Sequence, residues 1–299
     1  MRPTHHIIYN PRSAEGRHAG VIRALRAASP PEHVWLETTA PQHATTLARE
    51  AAKAGATVVV AAGGDGTIHE VVTGLMSVAA HERPALGLLP CGTGNDFAFA
   101  SGIPTDLHLA YQRLQTGTAR PVDIGRITLP DGRAEYWANT AGIGFDAKVV
   151  KRTKRLRWIK GQPLYVIATL LTIAFDHEVI EAEIVLDGNA IHARTLMLTL
   201  GNGPREGGGF LTTPPSRIDD GQAELLSIGP LSRWRMLGLV PRVLAGTHVN
   251  RPEVSLRSFT RLRLRAARPF LIHLDGELLS EPVHALDAEL IVSALRVIR

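Results

Sequence analysis

Short apolar runs alternate with helix-spaced segments over the first part of the chain. HIIYNP (6–11), TVVVAAGG (57–64) and ALGLLP (85–90) read as strands, the last two apolar on both faces as in a parallel sheet. Between them, Val21, Leu25 and Ala28 recur at helical spacing, and HVWLETT (33–39) alternates like a strand. PQHATTLAREAAKAG has Pro41 near its start and Gly55 at its end, the asymmetry of a helix, and TIHEVVTGLMSVAA (67–80) is helical again. After about Asp123, strand-like alternation takes over, with Asp131-Gly132 and Asp187-Gly188 as hairpin turns. Two helices interrupt it, LYVIATLLTIAF (164–175) and SRWRMLGLVPRVLAG (232–246). The pattern predicts an α/β domain over 1–125 and an antiparallel β domain over 126–299, with the closing AELIVSALRVIR able to pair within either.

In an open parallel sheet, ligands bind beyond the carboxyl ends of the strands. Two glycine loops lie there. In GGDGT, Gly63, Gly64 and Gly66 allow close backbone approach, so amides can face phosphate oxygens at a helix N-terminus. Thr67 and Glu70 form a Thr-x-x-Glu capping box, which starts the helix at Thr67. Asp65 repels bare phosphate, so it faces a cation, a ribose hydroxyl or backbone amides. One strand later LPCGTGNDFA repeats the design: Thr93 and Asn95 can donate to phosphate or sugar, and Asp96 can bind metal or favour the positive helix end. Cys91 reads as a small buried residue rather than a nucleophile. HLDGELL (273–279) taken alone is a hairpin turn.

Composition narrows the class. With 299 residues, 44% of them hydrophobic and 20% charged, the chain can build a large core and is not generally disordered. A single cysteine builds no disulfide framework and fits a reducing cytoplasm. MRPTHHIIYNPRS lacks the apolar core of a signal peptide. The formal net charge of +5 is uneven: Lys148 to Lys160 holds seven basic residues and no acidic one. The apolar run that follows has twelve residues, short of the roughly 17–25 that span a bilayer as a helix, and reads as a core helix rather than a lipid-pocket wall. The expectation is a soluble protein with one strongly basic surface.

GGDGT (63–67), GTGND (92–96) and DGE (275–277), together and in this order, resemble the diacylglycerol kinase catalytic family, in particular its bacterial soluble lipid kinases. YNPRSAEG (9–16), PVDIG (121–125), NTAGIGFDA (139–147) and RIDDGQAEL (217–225) fall in family order. The resemblance implies an N-terminal α/β domain like that of phosphofructokinases and NAD kinases, a C-terminal β-sandwich that binds lipid, and ATP in the cleft between them. Carried over by motif, Asn10, Pro11, Arg12, Ser13, Ala14, Thr39, Gly63, Gly64, Asp65, Gly66, Thr67, Ile68, His69, Glu70, Thr93 and Asn95 contact nucleotide, with Thr38 an equal alternative to Thr39. By the same resemblance, Asp65, Asp96 and Asp123 would organise the catalytic Mg2+, partly through water. The resemblance further implies Glu277, with Asp275, as the general base. The RIDDG loop resembles a structural magnesium site using the Asp220 side chain and the carbonyls of Arg217 and Gln222. Two positions depart from the family: His69 stands where many bacterial members have Asn, which blurs substrate class, and Gln222 replaces an apolar residue.

The implied reaction is ATP-dependent phosphorylation of a lipid hydroxyl, with diacylglycerol or a related lipid as acceptor. The alternatives are a NAD kinase, a sphingosine- or ceramide-type kinase, and a lipid-binding regulator without catalysis. GTGND and the late DGE speak against the first, and retention of Asp65, Asp96, Asp123 and Glu277 against the last. No zinc spacing or recognition motif supports nucleic-acid binding. Lys148 to Lys160 suits peripheral contact with an anionic inner membrane face, at about 1 kcal/mol per basic side chain near the surface. The resemblance also allows a homodimer.

Overall fold

A computed structural model describes residues 4–156, 158–159 and 161–299. The chain divides into two compact units, 1–123 with 292–299, and 124–291. The change of sequence character near residue 125 falls inside a strand, β5 (Ala119–Thr128), so no loop marks the division.

The first unit alternates strand and helix: β1 (His5–Tyr9), α1 (Ala19–Ala28), β2 (Val34–Glu37), α2 (His43–Lys53), β3 (Val58–Gly63), α3 (Asp65–Met76), β4 (Ala85–Pro90), α4 (Asp96–Ala100) and α5 (Leu107–Thr116). The strands pair in parallel in the order β2-β1-β3-β4. Val59, Val60, Leu86, Leu88 and Leu89 are fully buried, as expected of central parallel strands covered on both faces. Registry of β3 with β4 runs to Gly63 opposite Pro90, so the two glycine loops leave neighbouring strands at the same end. The helix after the first loop begins at Asp65 rather than Thr67, with Gly64 as its N-cap.

The second unit is a β-sandwich. Its elements are β6 (Ala134–Trp137), β7 (Thr140–Gly144), α6 (Phe145–Thr153), α7 (Gln162–Phe175), β8 (Ile180–Leu186), β9 (Asn189–Thr195), β10 (Met197–Gly201), β11 (Ala223–Ile228), α8 (Arg233–Leu244), β12 (Val254–Phe259), β13 (Arg261–Phe270), β14 (Ile272–Leu274), β15 (Glu277–Leu278) and β16 (Val283–Ile298). One sheet runs β12-β11-β10-β7-β14-β15, and the other contains β16-β13-β8-β9 with β5 and β6. Between them lie residues such as Trp137, Ile143, Leu198, Leu200, Leu264 and Ile272. On the outer face of the first sheet, Phe145, Val149, Ala168, Ile173, Leu239 and Val243 of α6–α8 pack over Leu196, Leu226 and Ile228. The final residues of β16 return to the first unit, where Val297 pairs in parallel with Leu86 of β4.

The core-helix expectation for Leu164–Phe175 holds on one face only. Ala168, Thr169, Thr172 and Ile173 are buried, whereas Ile167, Leu170 and Phe175 are exposed on the other. Of the basic segment, Arg157 and Lys160 lie outside the described residues, as do Met1–Pro3 of the N-terminal stretch.

Candidate active site

The glycine loops of the first unit interlock through their backbones. A β-carbon placed on Gly92 would lie 2.4 Å from the Cα of Gly64, and one on Gly64 would lie 3.0 Å from the Cα of Gly92. Only glycine pairs tolerate that approach. Gly63 is equally restricted, since a β-carbon there would sit 2.3 Å from Oγ1 of Thr67. The loop after β1 joins them: Asn10 Nδ2 donates to Thr67 Oγ1 at 3.2 Å, and Ser13 Oγ donates to the Cys91 carbonyl at 3.2 Å. Asn10 Oδ1 accepts from the Arg12 amide, and consecutive left-handed residues at Ala14 and Glu15 turn the chain sharply past Pro11. Asn95, itself left-handed at φ 53°, accepts from the Gly92 amide at 2.9 Å.

Asp65 ties the two loops together. Its two carboxylate oxygens accept from the Asn95 and Asp96 amides, each at 2.7 Å. Those amides open α4, so the carboxylate also lies at the positive end of a helix. Asp96 and Asp123 are buried, and Asp123 accepts from the Ser293 amide at 2.7 Å. Ile68 is buried, His69 and Gly66 are half-buried, and Thr93 is exposed at the rim of the second loop. Cys91 is buried, which pushes its thiol up to about 12, well out of the nucleophilic range.

Glu70 does not close the expected capping box. Its carboxylate reaches across to α2 and accepts from the Gln42 and Ala44 amides at 2.9 and 3.0 Å. Thr45 Oγ1 returns a bond to the Glu70 carbonyl. Because α3 begins two residues early, Glu70 lies beyond the turn that a capping box requires, and it caps the neighbouring helix instead. Thr39 stands next to this cap, with its amide 3.1 Å from Nδ1 of His43, and Thr38 donates to the Tyr9 carbonyl.

In the second unit, Asp275 and Gly276 form the turn between β14 and β15 with φ of 50° and 86°. The Asp275 carboxylate accepts from three successive amides, Ala138, Asn139 and Thr140, at 2.8–3.1 Å. Glu277 follows at the surface, its Oε2 3.2 Å from Lys154 Nζ with both side chains about half exposed. Three further residues gather beneath the turn: Asp146, Glu206 and His273. Two of them lie in stretches prominent in the sequence, NTAGIGFDA and HLDGELL, yet they stand more than a hundred residues apart, so no local spacing joins them.

In the RIDDG loop, Asp220 Oδ1 accepts from the Gln222 amide at 3.1 Å and the Arg217 side chain pairs with Asp219. Nearby Glu224 is buried, and its Oε2 makes no hydrogen bond. Burial pushes its carboxyl above the usual range, opposed by a Ser216 hydrogen bond and reinforced by the Asp220 charge. A buried carboxylate beside a second one, offering oxygen donors only, fits a hard divalent cation. Asp65, Asp96 and Asp123 offer the same donor chemistry in the first unit.

Residues 4–127 match the model of the diacylglycerol kinase catalytic domain, and residues 139–299 that of the YegS C-terminal NAD kinase β-sandwich-like domain. A YegS-like lipid kinase of Chromohalobacter salexigens is 38% identical over 232 residues, covering 77% of this chain and 73% of that protein. The diacylglycerol kinase of Bacillus subtilis is 30% identical over 276 residues, covering 91% and 88%. A solved structure of a Bacillus anthracis diacylglycerol kinase shares the fold with TM-score 0.81 at 22% identity, over 99% of this chain and 94% of that one.

Proposed function

The chain belongs to the diacylglycerol kinase family of ATP-dependent lipid kinases, and from that premise we propose that it phosphorylates diacylglycerol or a closely related lipid with Glu277 as general base. The observation that supports this reading most is the pair of glycine loops whose backbones touch at Gly64 and Gly92. A phosphate chain needs several amides at close range, and side chains at either position would block the approach.

The proposed roles are supported by what each group contacts. Gly63, Gly64, Gly66 and Gly92 leave room for the phosphates; Asn10, Ser13 and Thr67 hold the three loops in one arrangement. Asp65, whose carboxylate accepts two amides, is a hard oxygen donor suited to a cation, alongside Asp96 and Asp123. A divalent ion held there would supply charge neutralisation of the transferring phosphoryl group. The Asp275 carboxylate is occupied by three amides, so it positions the turn. Glu277 at the surface accepts the lipid hydroxyl proton as that oxygen attacks phosphorus and the bond to the leaving diphosphate breaks. The Asp220 side chain and the carbonyls of Arg217 and Gln222 would hold a second, structural cation, with buried Glu224 beside them.

Lipid reaches such a site at a membrane. No helix among the described residues is long and apolar enough to cross one. Two features support peripheral docking. The outward stripe of α7, with Ile167 and Leu170, continues to exposed Phe175, and Trp158 is exposed within the basic segment. Among the described cations of that segment, Lys148, Arg152 and Lys154 pair with Glu178, Asp176 and Glu277, whereas Lys151 and Arg155 are exposed. The electrostatic share is therefore smaller than seven charges would give, and the apolar stripe carries the rest. Incubating the protein with labelled ATP and diacylglycerol, ceramide, sphingosine, undecaprenol or NAD, followed by thin-layer separation, tests the acceptor. Label in diacylglycerol is expected; label confined to NAD or to no acceptor overturns the reading.

A further inference from the structure

Beneath the Asp275-Gly276 turn, three neighbouring strands present one row of residues. Gly142 of β7 is registered with Thr199 of β10 on one side and His273 of β14 on the other. Their neighbours Ala141, Ile143, Leu198, Leu200, Ile272 and Leu274 fill the sandwich core, so this row faces the opposite side, toward α6. Asp146, in the first turn of α6, lies over Gly142. A β-carbon on Gly142 would come within 2.2 Å of both Asp146 Oδ2 and His273 Nε2.

The row holds a buried chain of polar contacts. Thr199 Oγ1 donates to Asp146 Oδ2 and Thr140 Oγ1 to Glu206 Oε2, each at 3.0 Å. His273 is 2% exposed and its Nε2 makes no hydrogen bond, yet it faces Asp146 Oδ2 at 3.4 Å and Glu206 Oε2 at 3.9 Å. On the other side of the ring, Nδ1 accepts from the Gly276 amide at 3.2 Å.

The donor atoms of Asp146, Glu206 and His273 lie within 4.8 Å of one another, which is also the spacing of a metal site. The tautomer decides between the two readings. A histidine that ligates metal through Nε2 donates its Nδ1 proton to a partner. Here the partner of Nδ1 is itself an N–H group, so Nδ1 must be the bare nitrogen and Nε2 must carry the proton. A protonated Nε2 facing two carboxylates is a buttress, not a ligand.

We propose that His273 is a positioning residue for Glu277: Asp146 and Glu206 orient its ring, and its Nδ1 fixes the Gly276 amide, which sets where the next residue's carboxylate points. The proposal rests on Glu277 being the base. It also explains why the turn is held on two sides, by three amides on the Asp275 carboxylate and by His273 on the Gly276 amide.

Two substitutions separate the ring's two ends. In His273→Asn the side-chain oxygen can stand where Nδ1 stands and still accept from Gly276. His273→Gln reaches toward Asp146 but leaves the Gly276 amide without its acceptor. His273→Gln is expected to lower kcat by on the order of 10–100-fold with KM for ATP unchanged, the scale of a misplaced reacting group. His273→Asn is expected to keep kcat within about threefold on the same basis. Equal kcat in wild type and His273→Gln, or equal losses in both variants, overturns the proposal. Metal analysis of purified wild-type protein that finds one tightly held transition metal, absent from His273→Gln, also overturns it. Should His273→Gln fail to fold, 15N NMR of ring-labelled wild-type protein decides: a proton on Nε2 and none on Nδ1 supports the proposal, and the reverse tautomer overturns it. Glu277→Gln is assayed in parallel, since activity surviving there breaks the base assignment itself and not the buttress.

Discussion

Both units use the same device at their most constrained point, an Asp-Gly pair whose carboxylate gathers backbone amides from a distant loop. Asp65-Gly66 binds the amides of Asn95 and Asp96; Asp275-Gly276 binds those of Ala138, Asn139 and Thr140. The surroundings differ. Around Asp65 the support is backbone and glycine, with two loops so close that side chains are excluded. Around Asp275 the support includes a buried layer of ionisable side chains, Asp146, Glu206 and His273. A phosphate cradle needs amides and empty space; a loop that presents a carboxylate needs its direction fixed. On the proposed roles, the two kinds of support match those two needs.

The sharpest break between the units comes at Glu277. Glu277→Gln keeps the volume and removes the proton acceptor, so kcat should fall by about 100- to 10,000-fold, the usual contribution of a general base. ATP binding, measured by calorimetry, should stay within experimental error of wild type, and so should the melting temperature, because the side chain is half exposed and its pairing with Lys154 is a surface contact. Activity near normal would remove Glu277 from the mechanism.

Gly92→Ala tests the opposite property, space rather than charge. The added carbon would sit 2.4 Å from Cα of Gly64, and backbone atoms cannot rotate away as a side chain can. The loops must separate, at a cost of about 1–3 kcal/mol in stability as for other overpacked sites. ATP affinity should fall with it, while the Asp275 turn and its amides are untouched. A variant with wild-type stability and wild-type ATP affinity would show that the two loops need not touch.

These two sites were unequally legible in the sequence. GGDGT and GTGND can be read as paired loops because the pairing depends on local spacing, glycines at fixed steps after buried strands. The boundary of α3 was missed by two residues because a capping box can be written anywhere Thr-x-x-Glu occurs. In the structure Gly64 caps the helix, and Glu70 serves α2, whose N-terminus is reached only through tertiary packing. For α7, twelve uncharged residues gave no sign of which face would stay exposed, since both faces are apolar. The His273 buttress was illegible for a different reason. Its members come from the start of α6, the loop after β10 and β14, and only the sheet registry of β7 with β10 and β14 brings them side by side.

The RIDDG loop offers the finest discrimination, because Glu224, at the start of β11 just after it, lacks what Asp65 and Asp275 possess. Those two carboxylates are stabilised by backbone amides, whereas Glu224 Oε2 is buried without a hydrogen bond and Asp220 adds repulsion. Its folded-state pKa is raised, so the sign is fixed: the group favours the folded state below the ordinary glutamate range, and that contribution is lost as pH rises through the raised value. A divalent cation between Asp220 and Glu224 would cancel the loss, and its effect should therefore grow with pH. Thermal unfolding with and without millimolar magnesium should show a smaller rise at pH 5 than at pH 8, where it should reach a few degrees, the scale of about 1 kcal/mol of ligand linkage for a chain of this size. Glu224→Gln should raise stability at pH 8 without magnesium and reduce the response to the ion. A magnesium shift that is equal at both pH values, and intact in Glu224→Gln, would place the stabilising cation elsewhere in the molecule.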